Sequence, residues 1–155
     1  HENSLVAHQS PAPNWILGLT GNSSYKNIDL SFTFRAMLGN YIYNNVASNN
    51  GTFQSFEGIR PSNIHTSALI TQFTSRQLMS DYYLEDGSFL RLDNISLGYN
   101  FNKLKWAKIR AYVSGQNLFI LTNYSGLDPE IQPNGIDNNL YPRPKTFIGG
   151  ISVTF

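Results

Sequence analysis

Apolar and polar residues alternate along much of this chain, and the alternation comes in separate runs. From Trp15 the odd positions read Trp15, Leu17, Leu19, Gly21, Ser23 and Tyr25, while the even positions read Ile16, Gly18, Thr20, Asn22 and Ser24. A second run puts Ile28, Leu30, Phe32, Phe34, Ala36 and Leu38 on one face and Asp29, Ser31, Thr33, Arg35 and Met37 on the other. A period of two marks half-buried strands. Lys26-Asn27 separates the two runs as a two-residue turn, and Asn tolerates the left-handed backbone such turns need. With that turn Tyr25 opposes Ile28, Leu19 opposes Phe34 and Leu17 opposes Ala36, so both apolar faces coincide. Agreement of register and turn length predicts a hairpin.

Three more strands follow. In the third, Ile95, Leu97, Tyr99 and Phe101 alternate with Asn94, Ser96, Gly98 and Asn100, but Leu90 and Leu92 fall on the other parity. Either a β-bulge near Asp93-Asn94 restores the phase, or Leu90 and Leu92 face another part of the protein. The fourth carries Ile109, Ala111 and Val113 against Arg110, Tyr112, Ser114 and Gln116. The last sets Phe147, Gly149, Ile151, Val153 and Phe155 against Thr146, Ile148, Gly150, Ser152 and Thr154. The expected strands are about 14–25, 28–38, 87–101, 107–122 and 145–155, after a polar lead over 1–13.

The connections alternate in length: 26–27 and 102–106 are short, while 39–86 and 123–144 are long. The first long stretch shows little periodicity and reads as a large loop, with a short helix near 66–79. The second holds four of the chain's seven prolines. Outer-membrane barrels have short periplasmic turns, long extracellular loops and strands of about ten residues. A last strand running inward places both short turns on the periplasmic side and both long loops outside. Tyr25, Phe101, Trp106 and Phe155 then sit at periplasmic strand ends and Trp15 near an outer end, where membrane interfaces favour aromatics.

Composition points the same way. Only 14% of the 155 residues are charged, against ~25% in an average soluble domain, while aromatics make up 14%. The formal net charge is +1 and basic residues form no run, so nucleic-acid binding has no electrostatic footprint. Cysteine is absent, which removes disulfides and thiolate metal sites. No stretch approaches the ~18 apolar residues of a spanning helix. The polar start has no signal-peptide core, and a secreted barrel carries a signal, so the natural protein is expected to begin upstream of residue 1. Five strands do not close a barrel, because single-chain barrels begin at about eight. The alternation also fits a soluble β-sandwich with one buried face.

Specific motifs favour the barrel. The stretch from Glu85-Asp86-Gly87-Ser88-Phe89 through Leu97-Gly98-Tyr99 resembles the segment near the end of SusC-like (RagA-like) TonB-dependent outer-membrane proteins of the Bacteroidetes. Tyr112-Val113-Ser114-Gly115-Gln116-Asn117-Leu118-Phe119 is similar to their penultimate strand, and Tyr124-Ser125-Gly126-Leu127-Asp128-Pro129-Glu130 to a loop that follows it. Tyr141-Pro142-Arg143-Pro144-Lys145-Thr146-Phe147 is similar to the approach to their last strand. The match is ordered over 82–155 and looser over 13–45, and no family motif is apparent over 46–81. Asn102 departs from a frequent proline.

The resemblance implies an all-β fold, the C-terminal five strands of a large antiparallel transmembrane barrel of about 22 strands with a plug inside. It implies import of oligosaccharides or oligopeptides with energy from TonB. The implied partners are the N-terminal remainder of the barrel with its plug, TonB acting through that plug, a SusD-like surface lipoprotein, and outer-membrane lipid. Phe147, Ile151, Val153 and Phe155 resemble the barrel-assembly signal. Tyr41, Tyr43, Asn44, Tyr82, Tyr83, Tyr124 and Tyr141 are the candidates for contacting cargo, because aromatic rings stack on sugars or peptide side chains; packing of the loops on themselves would use the same residues. Asp128-Pro129-Glu130 reads as a turn. His1, His8 and His65 lack metal-ligand spacing, and no phosphate loop or nucleophile elbow is present. No enzyme, cofactor or metal is expected. The competing functions are a soluble carbohydrate-binding β-sheet module and a surface barrel that transports nothing.

Overall fold

The computed structural model describes residues 9–56, 63–101, 107–131 and 134–154. Phe155, Trp106, His1, His8 and the expected turn at 102–106 lie outside them. The chain divides into two compact units. A sheet unit takes residues 15–37, 89–122 and 143–155, and a loop unit takes 1–14, 38–88 and 123–142.

The sheet unit holds β1 (Trp15–Tyr25), β2 (Ile28–Leu38), β5 (Phe89–Phe101), β6 (Lys108–Gln116), β7 (Ile120–Thr122) and β9 (Thr146–Thr154). Their order is β1-β2-β5-β6-β9, with β7 paired to the upper part of β5. Thr20 and Thr33 bring their hydroxyls to 3.4 Å, which is the expected register of the first hairpin. The turn differs in one detail: Lys26, not Asn27, takes the positive φ, at 54°.

The phase change in β5 is a bulge. β2 pairs with it regularly from Ile28↔Tyr99 to Thr33↔Asn94, then resumes at Phe34↔Leu92, leaving Asp93 as the extra residue. Leu90 and Leu92 thereby join Ile95, Leu97 and Tyr99 on one face. The expected fourth strand is interrupted opposite this bulge. Asn117 takes φ 53° and donates its N–H to Asp93 O at 3.2 Å, and Leu92 N–H donates to Phe119 O at 3.2 Å. One strand therefore becomes two, β6 and β7.

The loop unit is where the pattern misleads most. The stretch 39–86, expected as a large loop with one short helix, contains β3 (Tyr41–Asn44), α1 (Asn45–Asn50), 3-10 turns at Phe53–Phe56 and Asp81–Tyr83, α2 (Ser67–Thr71) and β4 (Leu84–Asp86). The second long connection contributes β8 (Ile136–Asp137). β3 is the centre of a small sheet, antiparallel to β4 and parallel to β8. The helix expected near 66–79 is only the five residues of α2, closed by Gln72 at φ 53°.

Candidate functional site

Each unit carries a distinct arrangement. In the sheet unit the two faces have opposite chemistry. The apolar face is open: Trp15, Leu17, Leu19, Tyr25, Ile28, Leu97, Tyr99, Val113 and Ile151 are all exposed, Trp15 at 67% and Ile151 at 73%. The polar face carries two arginine–aspartate pairs. Arg35 Nε and Nη2 donate to the Asp93 carboxylate at 2.9 and 3.2 Å, so the bulge that repairs the apolar phase also turns Asp93 toward Arg35. Arg110 Nε donates to Asp29 Oδ1 at 3.1 Å, its Nη2 donates to Oδ2, and Asn100 Nδ2 donates to Oδ1 at 3.0 Å.

Two glycines make this face possible. A Cβ on Gly98 would stand 2.5 Å from Arg110 Nη2 and Asp29 Oδ2, and one on Gly150 would stand 2.6 Å from Tyr112 Cζ. The Arg110 guanidinium lies 5.2 Å from the Tyr112 ring centroid. A chain of contacts thus crosses β2, β5, β6 and β9 on the polar face. The apolar side chains are thus gathered on one face of the sheet and the cross-linked charges on the other.

In the loop unit, polar side chains clasp segments distant in sequence. Asn44 Oδ1 accepts from Ala47 N–H at 2.9 Å and so caps α1, satisfying one of the donors a helix start leaves open. Asn44 Nδ2 donates to Glu85 Oε1 at 2.9 Å and Ser125 Oγ at 3.1 Å. The Glu85 carboxylate also accepts from Ser125 N–H and Oγ–H, each at 2.8 Å. The buried Tyr124 hydroxyl donates to Asp137 Oδ2 at 2.6 Å, and Asn139 N–H donates to Asp137 Oδ1 at 2.9 Å. Burial, then that bond to Asp137, pushes the Tyr124 hydroxyl well above the ordinary tyrosine range. Tyr83 is also shifted upward, chiefly by burial. Tyr43 Oη–H donates to Ser48 Oγ at 2.7 Å and accepts from Met79 N–H at 3.0 Å.

The seven candidate contact residues therefore divide. Asn44, Tyr83 and Tyr124 are buried, Tyr41 and Tyr43 are half-buried, and Tyr82 and Tyr141 are exposed, Tyr141 at 91%. Asn44, Tyr43 and Tyr124 spend their polar atoms on the unit's own packing, and Tyr83 packs edge-on against Tyr43 and Tyr82. The clasp residues Glu85, Ser125 and Asp137 were not singled out by the sequence, although Glu85 and Ser125 stand inside its two most specific motifs. Asp128 Oδ1 accepts from Glu130 N–H at 2.9 Å, the expected turn. Among the described residues no cluster of His, Asp and Glu could hold a metal ion, and no helix is long and apolar enough to cross a membrane, which says nothing of strands.

No known family profile matches the chain. It is 40% identical to the TonB-dependent receptor SusC of Bacteroides thetaiotaomicron over 96% of its own length and 16% of that protein's. The chain belongs to the SusC-like TonB-dependent outer-membrane proteins. Another TonB-dependent receptor, from Formosa agariphila, is 31% identical over 94% of this chain and 17% of its own length. Among solved structures, the RagAB peptide transporter superposes with a TM-score of 0.75 at 26% identity, covering 92% of this chain and 17% of that one. The chain thus spans about a sixth of the length of its SusC-like relatives, a share that fits a C-terminal part of the barrel. In that setting the sheet unit is barrel wall, with its open apolar face the one that suits lipid.

Proposed function

We propose that this chain supplies wall and two long extracellular loops to an outer-membrane importer that draws energy from TonB and carries oligosaccharides or oligopeptides inward. The observation that carries the reading is the sheet's two-faced chemistry in a SusC-like chain: apolar side chains open, charges paired and cross-linked on the other face. In hydrocarbon every backbone polar group needs a partner, and a closed barrel provides it. The polar face then lines a wet or plug-filled lumen, where paired charges suit passage better than isolated ones.

The rest of the barrel and its plug would complete the protein, with the plug meeting TonB. A SusD-like surface lipoprotein would act with the loops in capturing cargo. Exposed Tyr82 and Tyr141, with half-buried Tyr41, would meet cargo; Tyr43, Asn44, Tyr83 and Tyr124 would act by holding the platform. The apolar row Phe147, Ile151 and Val153 on β9, with Phe155, is assigned to recognition by the assembly machinery. The protein is a transporter component and not an enzyme. Uptake by cells carrying the full-length protein, with and without TonB, tests the reading. Labelled oligosaccharides and oligopeptides of matched size should separate, one class entering only when TonB is present. Entry of neither class, or entry indifferent to TonB, would contradict it.

A further inference from the structure

The apolar face of the sheet is not uniformly filled. A furrow of about 400 Å³ is lined by Ile28, Leu97, Tyr99, Ala111 and Val113, within the ~300–1,000 Å³ range of small-molecule sites. Ala111 is the smallest apolar side chain in its lining, and its pairing partners, Tyr99 on β5 and Ile151 on β9, are both far larger.

One end of the furrow has a charge. Ile28, opposite Tyr99, stands two residues after Lys26 in the hairpin turn. Lys26 holds its left-handed backbone and keeps Nζ 5.2 Å from the centroid of the exposed Tyr25 ring. An ammonium beside an aromatic ring is what a water–lipid boundary favours. A fixed cation at the boundary and an apolar furrow starting beside it match the two halves of one amphiphile.

We infer that Lys26 and the Ala111 furrow form a binding site for one anionic phospholipid of the periplasmic leaflet, with the phosphate on Lys26 and an acyl chain along the furrow. The inference rests on the outer-membrane reading, which puts this short turn on the periplasmic side. An anionic headgroup fits because Lys26 supplies a positive charge there. A zwitterionic headgroup brings its own ammonium and gains less.

The test is native mass spectrometry of the delipidated full-length protein, titrated separately with dioleoylphosphatidylglycerol and dioleoylphosphatidylcholine. The wild type should hold one phosphatidylglycerol more tightly than phosphatidylcholine. Lys26→Gln should weaken phosphatidylglycerol about fivefold, roughly the factor one charge contributes at a membrane surface, and leave phosphatidylcholine unchanged. Ala111→Phe fills the furrow and should weaken both. If Ala111→Phe does not assemble, Lys26→Gln alone decides. Equal binding of the two lipids by the wild type, or unchanged phosphatidylglycerol binding in Lys26→Gln, overturns the site. Heat-modifiable migration of the wild-type protein from outer membranes separates the two claims: if it is absent the membrane reading falls, and if it is present with no lipid preference only this inference falls.

Discussion

Glu85 and Tyr124 show how few side chains tie the long loops together. Glu85 accepts from Asn44 and from both donors of Ser125, so it joins the segment after β2 to the segment after β7. Removing one partner leaves the others with an unmet polar group, which costs ~1–3 kcal/mol. Glu85→Ala should therefore lower hydrogen-exchange protection across 123–131 and 134–142 as well as around Glu85 itself. A loss confined to 84–88 would show that the two loops are independent. Tyr124 adds a dependence on pH. Its folded pKa is raised, so its stabilisation is complete below the ordinary tyrosine value of about 10 and is lost as pH rises through the folded value. In an alkaline titration followed by tyrosinate absorbance, the wild type minus Tyr124→Phe difference should stay flat until the loop unit opens. A contribution near pH 10, with the unit still protected from exchange, would contradict the burial of this hydroxyl.

Residue types were legible in the sequence here, and partners were not. Asn44 reads as a loop ligand because a polar residue amid tyrosines offers hydrogen bonds. Its actual place is set by α1, whose start it caps, and by Glu85 and Ser125, both far away in the chain. Periodicity carries no trace of such pairings.

At the scale of elements, legibility followed strand length. β1, β2, β5 and β9 run for nine to thirteen residues, long enough for a period of two to declare itself and for a single phase slip to expose the Asp93 bulge. β3, β4 and β8 have four, three and two residues, too few for any period, and β3 finds β8 in parallel across most of the chain. The break at Asn117 was hidden because the apolar run Leu118–Leu121 follows it directly. The glycines of the wall also have element-scale consequences. Gly150→Val places carbon against the Tyr112 ring, an overpacking of ~1–3 kcal/mol, and should lower the yield of heat-modifiable barrel. The double variant Gly150→Val with Tyr112→Ala should recover part of that yield, since the two sites share one contact. A double variant no better than Gly150→Val alone would show that the glycine serves the backbone and not the ring.

For the whole molecule, assembly in the membrane depends on which face of the sheet meets lipid. Leu97→Arg puts a charge on the apolar face, at a cost of ~2–4 kcal/mol near the bilayer midplane, and should sharply reduce assembled protein in outer membranes. Ser96→Arg, one residue away on the polar face, should be far milder. Equal loss from both would mean the wall is not one-sided.

The most direct measurement uses the absence of cysteine from this chain. Ser96 pairs with Ser114 and Leu97 with Val113, so two adjacent rungs point to opposite faces. Single cysteines at these four positions, in the full-length protein with any cysteine outside this chain replaced and in intact outer membranes, would be challenged with a lipid-soluble and a water-soluble thiol reagent. Labelling of positions 97 and 113 only from the lipid phase, with 96 and 114 shielded from it, is the predicted result. Ready labelling of positions 97 and 113 by the water-soluble reagent would contradict the barrel-wall account.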